Sequence, residues 1–198
     1  MAYTLSPYIR KAIKAFAEGR HITMNNKYHL RCLTMAQSAE LHEILKDRSI
    51  SKWIAKFAYG YKPDEAITWC RRAEISASEG SELFLGLFDS ISNKLIAIAG
   101  ITPETEEDGS VRAEIGYVVA KEYHGRGFPV KLLNAVVDLA FKELGIARIY
   151  STSATGNLAN QYVLKRVGLE HKGNIIVETN GFSPRVSALY EQSNPLMI

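Results

Sequence analysis

Cysteine is scarce in this chain: Cys32 and Cys70 are the only two in 198 residues. Two thiols make no disulfide framework, and neither has the paired His or Cys neighbours of a metal site. Two buried free thiols and no metal are therefore expected. Long apolar runs are also missing. None approaches the roughly 18 residues of a membrane span. The first 20 residues are broken by Arg10, Lys11, Lys14 and Glu18, so they do not form the apolar stretch of a secretory leader. These absences predict a cytoplasmic protein without membrane contact. Concentrated basic charge is absent too. The net charge is +3, with Lys and Arg scattered apart from small groups near residues 10–14 and 71–72. A nucleic-acid partner is not expected from this pattern, although a mild positive balance favours a polyphosphate ligand. No repeat or low-complexity tract is visible. The composition, 46% hydrophobic and 23% charged, is that of an ordinary globular chain, and the length suits one buried core.

The hydrophobic pattern predicts an N-terminal helix opened by Pro7, with Ile9, Ile13 and Phe16 on one side and Gly19 at its end. This reading divides the chain into a helical extension, residues 1–21, and one domain, residues 22–198. The extension either packs on the domain or mediates association, which leaves a homodimer open. Strands are expected at 28–33, 83–88, 95–101, 111–119 and 146–152, with two more near 169–174 and 186–190. Helices are expected at 36–45, 63–78, 129–144 and 157–167. Residues 103–109 read as an acidic turn. Early helices, a run of antiparallel strands and a closing strand–helix alternation predict an α/β (α+β) fold. Its central sheet is mixed, mostly antiparallel, with about six to seven strands flanked by helices.

The most informative segment joins the strand at 111–119 to the helix at 129–144. It reads Tyr123, His124, Gly125, Arg126, Gly127, Phe128, Pro129. Two glycines permit positive φ and close backbone approach to a ligand. The helix start then directs unpaired N–H groups and partial positive charge to the same place, which suits a phosphate. The three-glycine dinucleotide fingerprint and the Gly-Lys-Ser/Thr ending of a Walker loop are both absent. A tight strand-to-helix turn with no ligand remains the alternative for the loop taken alone.

Several further motifs follow in order: Ala113 to Ala120 (AEIGYVVA), Arg148-Ile-Tyr150, Asn157, and Leu164 to Leu169 (LKRVGL). Together with the glycine loop they make the chain resemble the GNAT superfamily of N-acetyltransferases, over roughly residues 28–190. The likeness is greatest to the RimJ/RimL-like branch, which acetylates ribosomal-protein N-termini. The resemblance implies acetyl-CoA as cosubstrate and transfer of its acetyl group to a primary amine, most naturally a protein or peptide α-amine. It places the cofactor against the backbone of Tyr117, Val118 and Val119, against the loop His124, Gly125, Arg126, Gly127, Phe128 and Pro129, and near Asn157. His124 stands at the family's Gln/Arg position, Pro129 at its Gly/Ala position and Asn160 at its Ser/Ala position, and all three depart from the pattern. Pro129 falls in the first helical turn, where no intrahelical donor is needed, but it removes one N–H from the phosphate cradle.

Amide formation from a thioester needs a neutral amine and a proton for the departing thiolate. The family's Glu after the long helix is replaced by Thr152, and its Tyr acid by Leu164. The expected catalytic candidates are therefore Glu114 as base, with Asn160 and Tyr162, like Ser151 and Ser153, as polar groups near the thioester; His124 is a second candidate base, although its loop position suits a phosphate-binding or structural role. Glu114 reads equally as a structural ion-pair partner, and Tyr162 as a packed helix aromatic. Acceptor specificity is expected in the aromatic segment holding Trp53, Phe57, Tyr59 and Tyr61, which reads equally as core under a long loop. The alternatives to α-amine acetylation are a small-amine acetyltransferase acting on a polyamine, amino acid or antibiotic, a non-catalytic acetyl-CoA-binding module, and an unrelated phosphate-binding α/β protein.

Overall fold

The structure, a computed structural model, describes residues 4–55, 61–179 and 182–197. Fourteen elements follow in chain order: α1 (Pro7–Ala17), β1 (His21–Asn25), β2 (Tyr28–Cys32), α2 (Ser38–Leu45), α3 (Arg48–Ser51), α4 (Pro63–Glu79), β3 (Leu83–Asp89), β4 (Leu95–Thr105), β5 (Val111–Val119), α5 (Phe128–Asp138), β6 (Arg148–Ala154), α6 (Leu158–Arg166), β7 (Glu170–Thr179) and β8 (Phe182–Ser193). The strands form one sheet in the order β1-β2-β3-β4-β5-β6-β8-β7. Every neighbouring pair is antiparallel except β5 with β6. The mixed, mostly antiparallel architecture is the one expected, with eight strands instead of six to seven.

The additional strand is β1. Its sequence carries only Ile22 and Met24 as apolar residues, too little for a pattern argument. It is fixed by its turn: the Asn25 side chain accepts from the N–H groups of Lys27 (2.8 Å) and Tyr28 (3.1 Å), closing a hairpin onto β2. The expected divide between residues 21 and 22 therefore falls inside a strand. α1 itself starts as foreseen. Ser6 caps it by accepting from Ile9 N–H at 3.3 Å, and Ile9, Ile13 and Phe16 are buried in the same core cluster as residues of α5 and the sheet.

Two other boundaries move. β4 runs through Pro103 to Thr105, so the turn begins only at Glu106. Pro103 is tolerated because β3 pairs no further along β4 than Ile101, and beyond that point β4 has a neighbour on the β5 side alone. The helix expected over 129–144 is α-helical to Asp138 and then widens into a π turn over Leu139–Glu143, in which Leu144 N–H donates to Leu139 O at 2.9 Å. The closing strands β7 and β8 are longer than the expected 169–174 and 186–190.

The sheet carries a core on each face, as strand alternation requires. On one, α5 and α6 pack Leu133, Val136 and Leu164 against Ile115, Ile149 and Tyr190. On the other, α2, α3 and α4 pack Leu41, Ile50 and Cys70 against Phe84, Phe88, Ile98 and Val118. Cys32 and Cys70 are buried free thiols, and burial pushes both up to about 11, so neither is a thiolate near neutral pH. Among the described residues, no helix is long and apolar enough to cross a membrane.

Candidate active site

β5 pairs with β4 along its whole length, from Val111 with Thr105 to Val119 with Ala97. On its other side it pairs with β6 only at Arg112, Ala113 and Glu114, opposite Arg148, Ile149 and Tyr150. From Ser151 onward β6 is paired with β8 alone. The two parallel strands thus diverge after three residues. The stretch 115–119 turns the outward backbone groups of a strand into a wedge inside the sheet, where no strand among the described residues meets them.

The glycine loop borders the mouth of this wedge, following directly on the end of β5. His124 Nε2 lies 2.8 Å from Val119 O, so Nε2 carries the proton and donates, pinning the loop to the end of β5. Gly125 and Gly127 both adopt left-handed φ, 72° and 73°. No atom lies within 4 Å of where a Cβ would stand on either, so the space beside the loop is open. Gly127 caps α5, and the first helical hydrogen bond is Lys131 N–H to Gly127 O at 3.2 Å. Phe128 holds the helix start in place. Its ring meets Tyr28 and Tyr123 edge-on at 5.2 and 5.3 Å. The N–H groups of Arg126, Gly127 and Phe128 have no hydrogen-bond partner among the described residues, and the Arg126 side chain is exposed. This is a preformed anion cradle backed by a helix dipole.

Glu114 stands at the closed end of the wedge. By strand alternation it shares with Gly116 and Val118 the face covered by α2 and α4. The residue is open to solvent, yet its carboxyl is raised above the ordinary carboxylate value. Desolvation by its surroundings is the main cause and Glu104 adds to it, while Arg72 on α4 opposes. Beside it, Tyr150 O–H donates to Glu104 Oε1 at 2.8 Å, and Arg112 Nε donates to the same oxygen at 2.7 Å. Arg112 also lies 5.1 Å from the Tyr150 ring centre, and Arg148 binds both oxygens of Glu106 at 2.6 Å. Burial is the main cause that pushes the Tyr150 hydroxyl up, with the bond to Glu104 adding to it. Glu104, Tyr150 and Arg72 were not among the expected site residues. Only the register that sets Glu114 opposite both Thr102 and Tyr150 brings them together.

The other expected residues divide between the faces. Tyr117, Val118 and Val119 line the unpaired stretch of β5. Asn157 caps α6, its side chain accepting from Asn160 N–H at 3.2 Å. Asn160 is half-buried, and Tyr162 is 62% exposed on the same helix. Ser151 and Ser153 are buried and alternate with Tyr150 and Thr152, so they face the α5 and α6 side. α6 packs on the face opposite Glu114, so the expected set of Glu114, Asn160 and Tyr162 is not gathered on one face. Of the aromatic segment, Trp53 lies against Gly156, 3.9 Å from its Cβ position, and its carbonyl accepts from Arg185 Nη2 at 3.2 Å. Trp53 therefore stands beside the turn that leads into Asn157. Tyr61 O–H meets His42 Nδ1 at 3.0 Å, and burial pushes the phenol up to about 12. Phe57 and Tyr59 lie outside the described residues.

Residues 28–170 match the Acetyltransferase (GNAT) domain family, and the chain belongs to it. It is an acetyl-CoA-dependent N-acetyltransferase. The YkkB protein of Bacillus subtilis is 24% identical over 153 residues, 77% of this chain and 87% of that one. Among solved structures, the Salmonella typhimurium acetyltransferase that modifies the N-terminal serine of ribosomal protein L7/L12 superposes with a TM-score of 0.74 at 16% identity, covering 88% of this chain and 99% of that one. The microcin C7 self-immunity acetyltransferase MccE, solved with acetyl-CoA and AMP, gives 0.72 at 16% identity over 86% and 94%. At such identities the likeness is one of fold.

Proposed function

We propose that this enzyme acetylates the α-amine of a protein or peptide N-terminus, with Glu114 as the base. The observation that carries the reading is the half-paired strand β5, with Glu114 at the closed end of its wedge and the glycine loop at the mouth. The cofactor fits the residues present: a cradle of unpaired N–H groups with open space above two glycines suits phosphates, and the strand edge at 115–119 suits an extended amide chain. When bound, acetyl-CoA supplies the activated acyl group. Residues 125–128 and the start of α5 would hold its phosphates, and Tyr117, Val118 and Val119 would align its arm. Pro129 offers no N–H there.

The acceptor arrives as an ammonium and must lose a proton. Glu114, directly or through one water, accepts it. A carboxyl raised above the ordinary range is a stronger base than a free one, yet still far weaker than an alkylamine. This favours an α-amine, with pKa about 7.7–8.0, over a lysine at about 10.4. The L7/L12-modifying relative of the same fold acts on such an amine. Trp53, beside the β6–α6 turn, borders the approach.

The test pairs acetyl-CoA with peptides of free α-amine, the same peptides blocked at the N-terminus but carrying lysine, and spermidine, with thiol release as readout. Release with the free α-amine peptides alone is expected. Release with spermidine alone would overturn the protein acceptor. Acetyl-CoA binding without release on any amine would overturn the catalytic reading of Glu114.

A further inference from the structure

A concave space of about 660 Å³ lies away from the wedge, over the first two strands of the sheet. Its size is that of a small-molecule site. Under α2 and α4 the same sheet face is apolar, with Phe84, Phe88 and Ile98. Over β1 and β2 it turns polar. The pairs His21 with Arg31 and Thr23 with His29 stand side by side in register and form the floor. Glu74 and Ser78 of α4 form one wall, and Gly19 and Arg20 after α1 close another.

The floor is ordered before any ligand arrives. The Arg31 guanidinium lies 3.7 Å from the centre of the Phe88 ring, and its Nη2 donates to Asn93 Oδ1 at 3.3 Å. No carboxylate pairs with it among the described residues, so the rest of its donor fork is unspent. The His29 ring stacks on the same Phe88 at 5.7 Å, with Nδ1 3.2 Å from Ser90 Oγ, and His21 meets His29 edge-on at 6.3 Å. Arg20, by contrast, is already engaged by Glu143. One unneutralised guanidinium flanked by two imidazoles and small hydroxyls is a recognition set for an oxyanion. Glu74 is the one carboxylate of the lining, and it would repel a polyanion laid along the groove.

We infer that the β1–β2 groove is a second ligand site, which takes a small molecule bearing one carboxylate or phosphate seated on Arg31. This does not rest on the proposed acceptor or on the role of Glu114. The experiment is calorimetric titration of the whole chain, already saturated with CoA so that the α5 cradle is filled. Inorganic phosphate and acetate are the two probes, compared with chloride at equal ionic strength. Saturable binding of one or both probes is expected, and their ratio tells which oxyanion is preferred. Arg31→Met should weaken it about tenfold or more while leaving CoA affinity unchanged. The paired variant His21→Asn/His29→Asn should weaken it less, which serves as a second reading if Arg31→Met fails to fold. Binding that persists unchanged in both variants, or no saturable heat with either probe, overturns the site and leaves the groove a solvated sheet edge.

Discussion

The two halves of β5 differ in how many neighbours they pair with. Residues 112–114 are paired on both sides and bordered by the Arg112, Glu104 and Tyr150 hydrogen bonds, so the backbone of this half is fixed scaffold on which Glu114 is mounted. Residues 115–119 are paired on one side only and end in the glycine loop. One strand is thus central at its start and an edge at its end. The edge is recessed between two neighbours, where another protein strand cannot dock as it would on an open border. The same ladder that fixes Glu114 leaves the rest of the strand free to meet a narrow ligand.

Substitutions sharpen this contrast in descending order of effect. Glu114→Gln, at the junction of the halves, should lower kcat/KM about 10²- to 10⁴-fold while the thermal shift with acetyl-CoA is kept. The carboxyl is raised in the folded chain, so the native state holds its proton more tightly than the unfolded one. Its contribution to stability is therefore lost as pH rises from the ordinary value of 4.5 through the raised one. Urea melts near neutral pH should accordingly find Glu114→Gln at least as stable as the parent. A large loss of stability would mean that the Glu114 carboxylate is a structural ion-pair partner instead of a base.

Gly127→Ala tests the open half. At φ 73° a Cβ meets no neighbour but does meet its own backbone, at a cost of about 1–2 kcal/mol. Denaturant midpoints should register that cost, and the KM for acetyl-CoA should rise while kcat for saturated enzyme changes less. Tyr150→Phe tests the scaffold half. Loss of the bond to Glu104 should cost about 1 kcal/mol in the same melts, with the KM for acetyl-CoA unmoved. The smallest effect is expected from Pro129→Ala. It returns an N–H to the cradle and loosens the unfolded chain, and titration should find acetyl-CoA bound about two- to fivefold more tightly. Weaker binding would show that the ring of Pro129 orders the helix start more than its missing donor harms the cradle.

Much of this could be read along the chain, because the signals were local. Pro7, Asn157 and the two loop glycines announce helix ends by their own backbone preferences, and the apolar spacing of α5 and β5 announces buried faces. What escaped was set by partners distant in sequence. β1 exists because Asn25 folds it onto β2, and β4 continues through Pro103 because β3 has already ended. Tyr150 joins Glu104 across 46 positions, a proximity fixed by the register of a parallel pair. That α6, with Asn160 and Tyr162, covers the face opposite Glu114 was likewise beyond the reach of the sequence. A motif orders residues along a helix, but only the layering decides which face of the sheet that helix covers.

The three-residue seam between β5 and β6 joins two antiparallel blocks, β1 to β5 and β6 to β8, that otherwise share no ladder. Beyond the seam and the Tyr150–Glu104 and Arg148–Glu106 bonds that cross it, the blocks adhere through oil-like contact: Ile115 of one block and Ile149, Ala188 and Tyr190 of the other lie in a single buried cluster with α5. Such adhesion has no direction, which is why it tolerates a gap that a hydrogen-bonded ladder would not. It also weakens on cooling, whereas the ladders within each block do not depend on it to the same degree. Chilling is therefore expected to loosen the apolar contact at the join, the place where the wedge begins, before the ladders within each block.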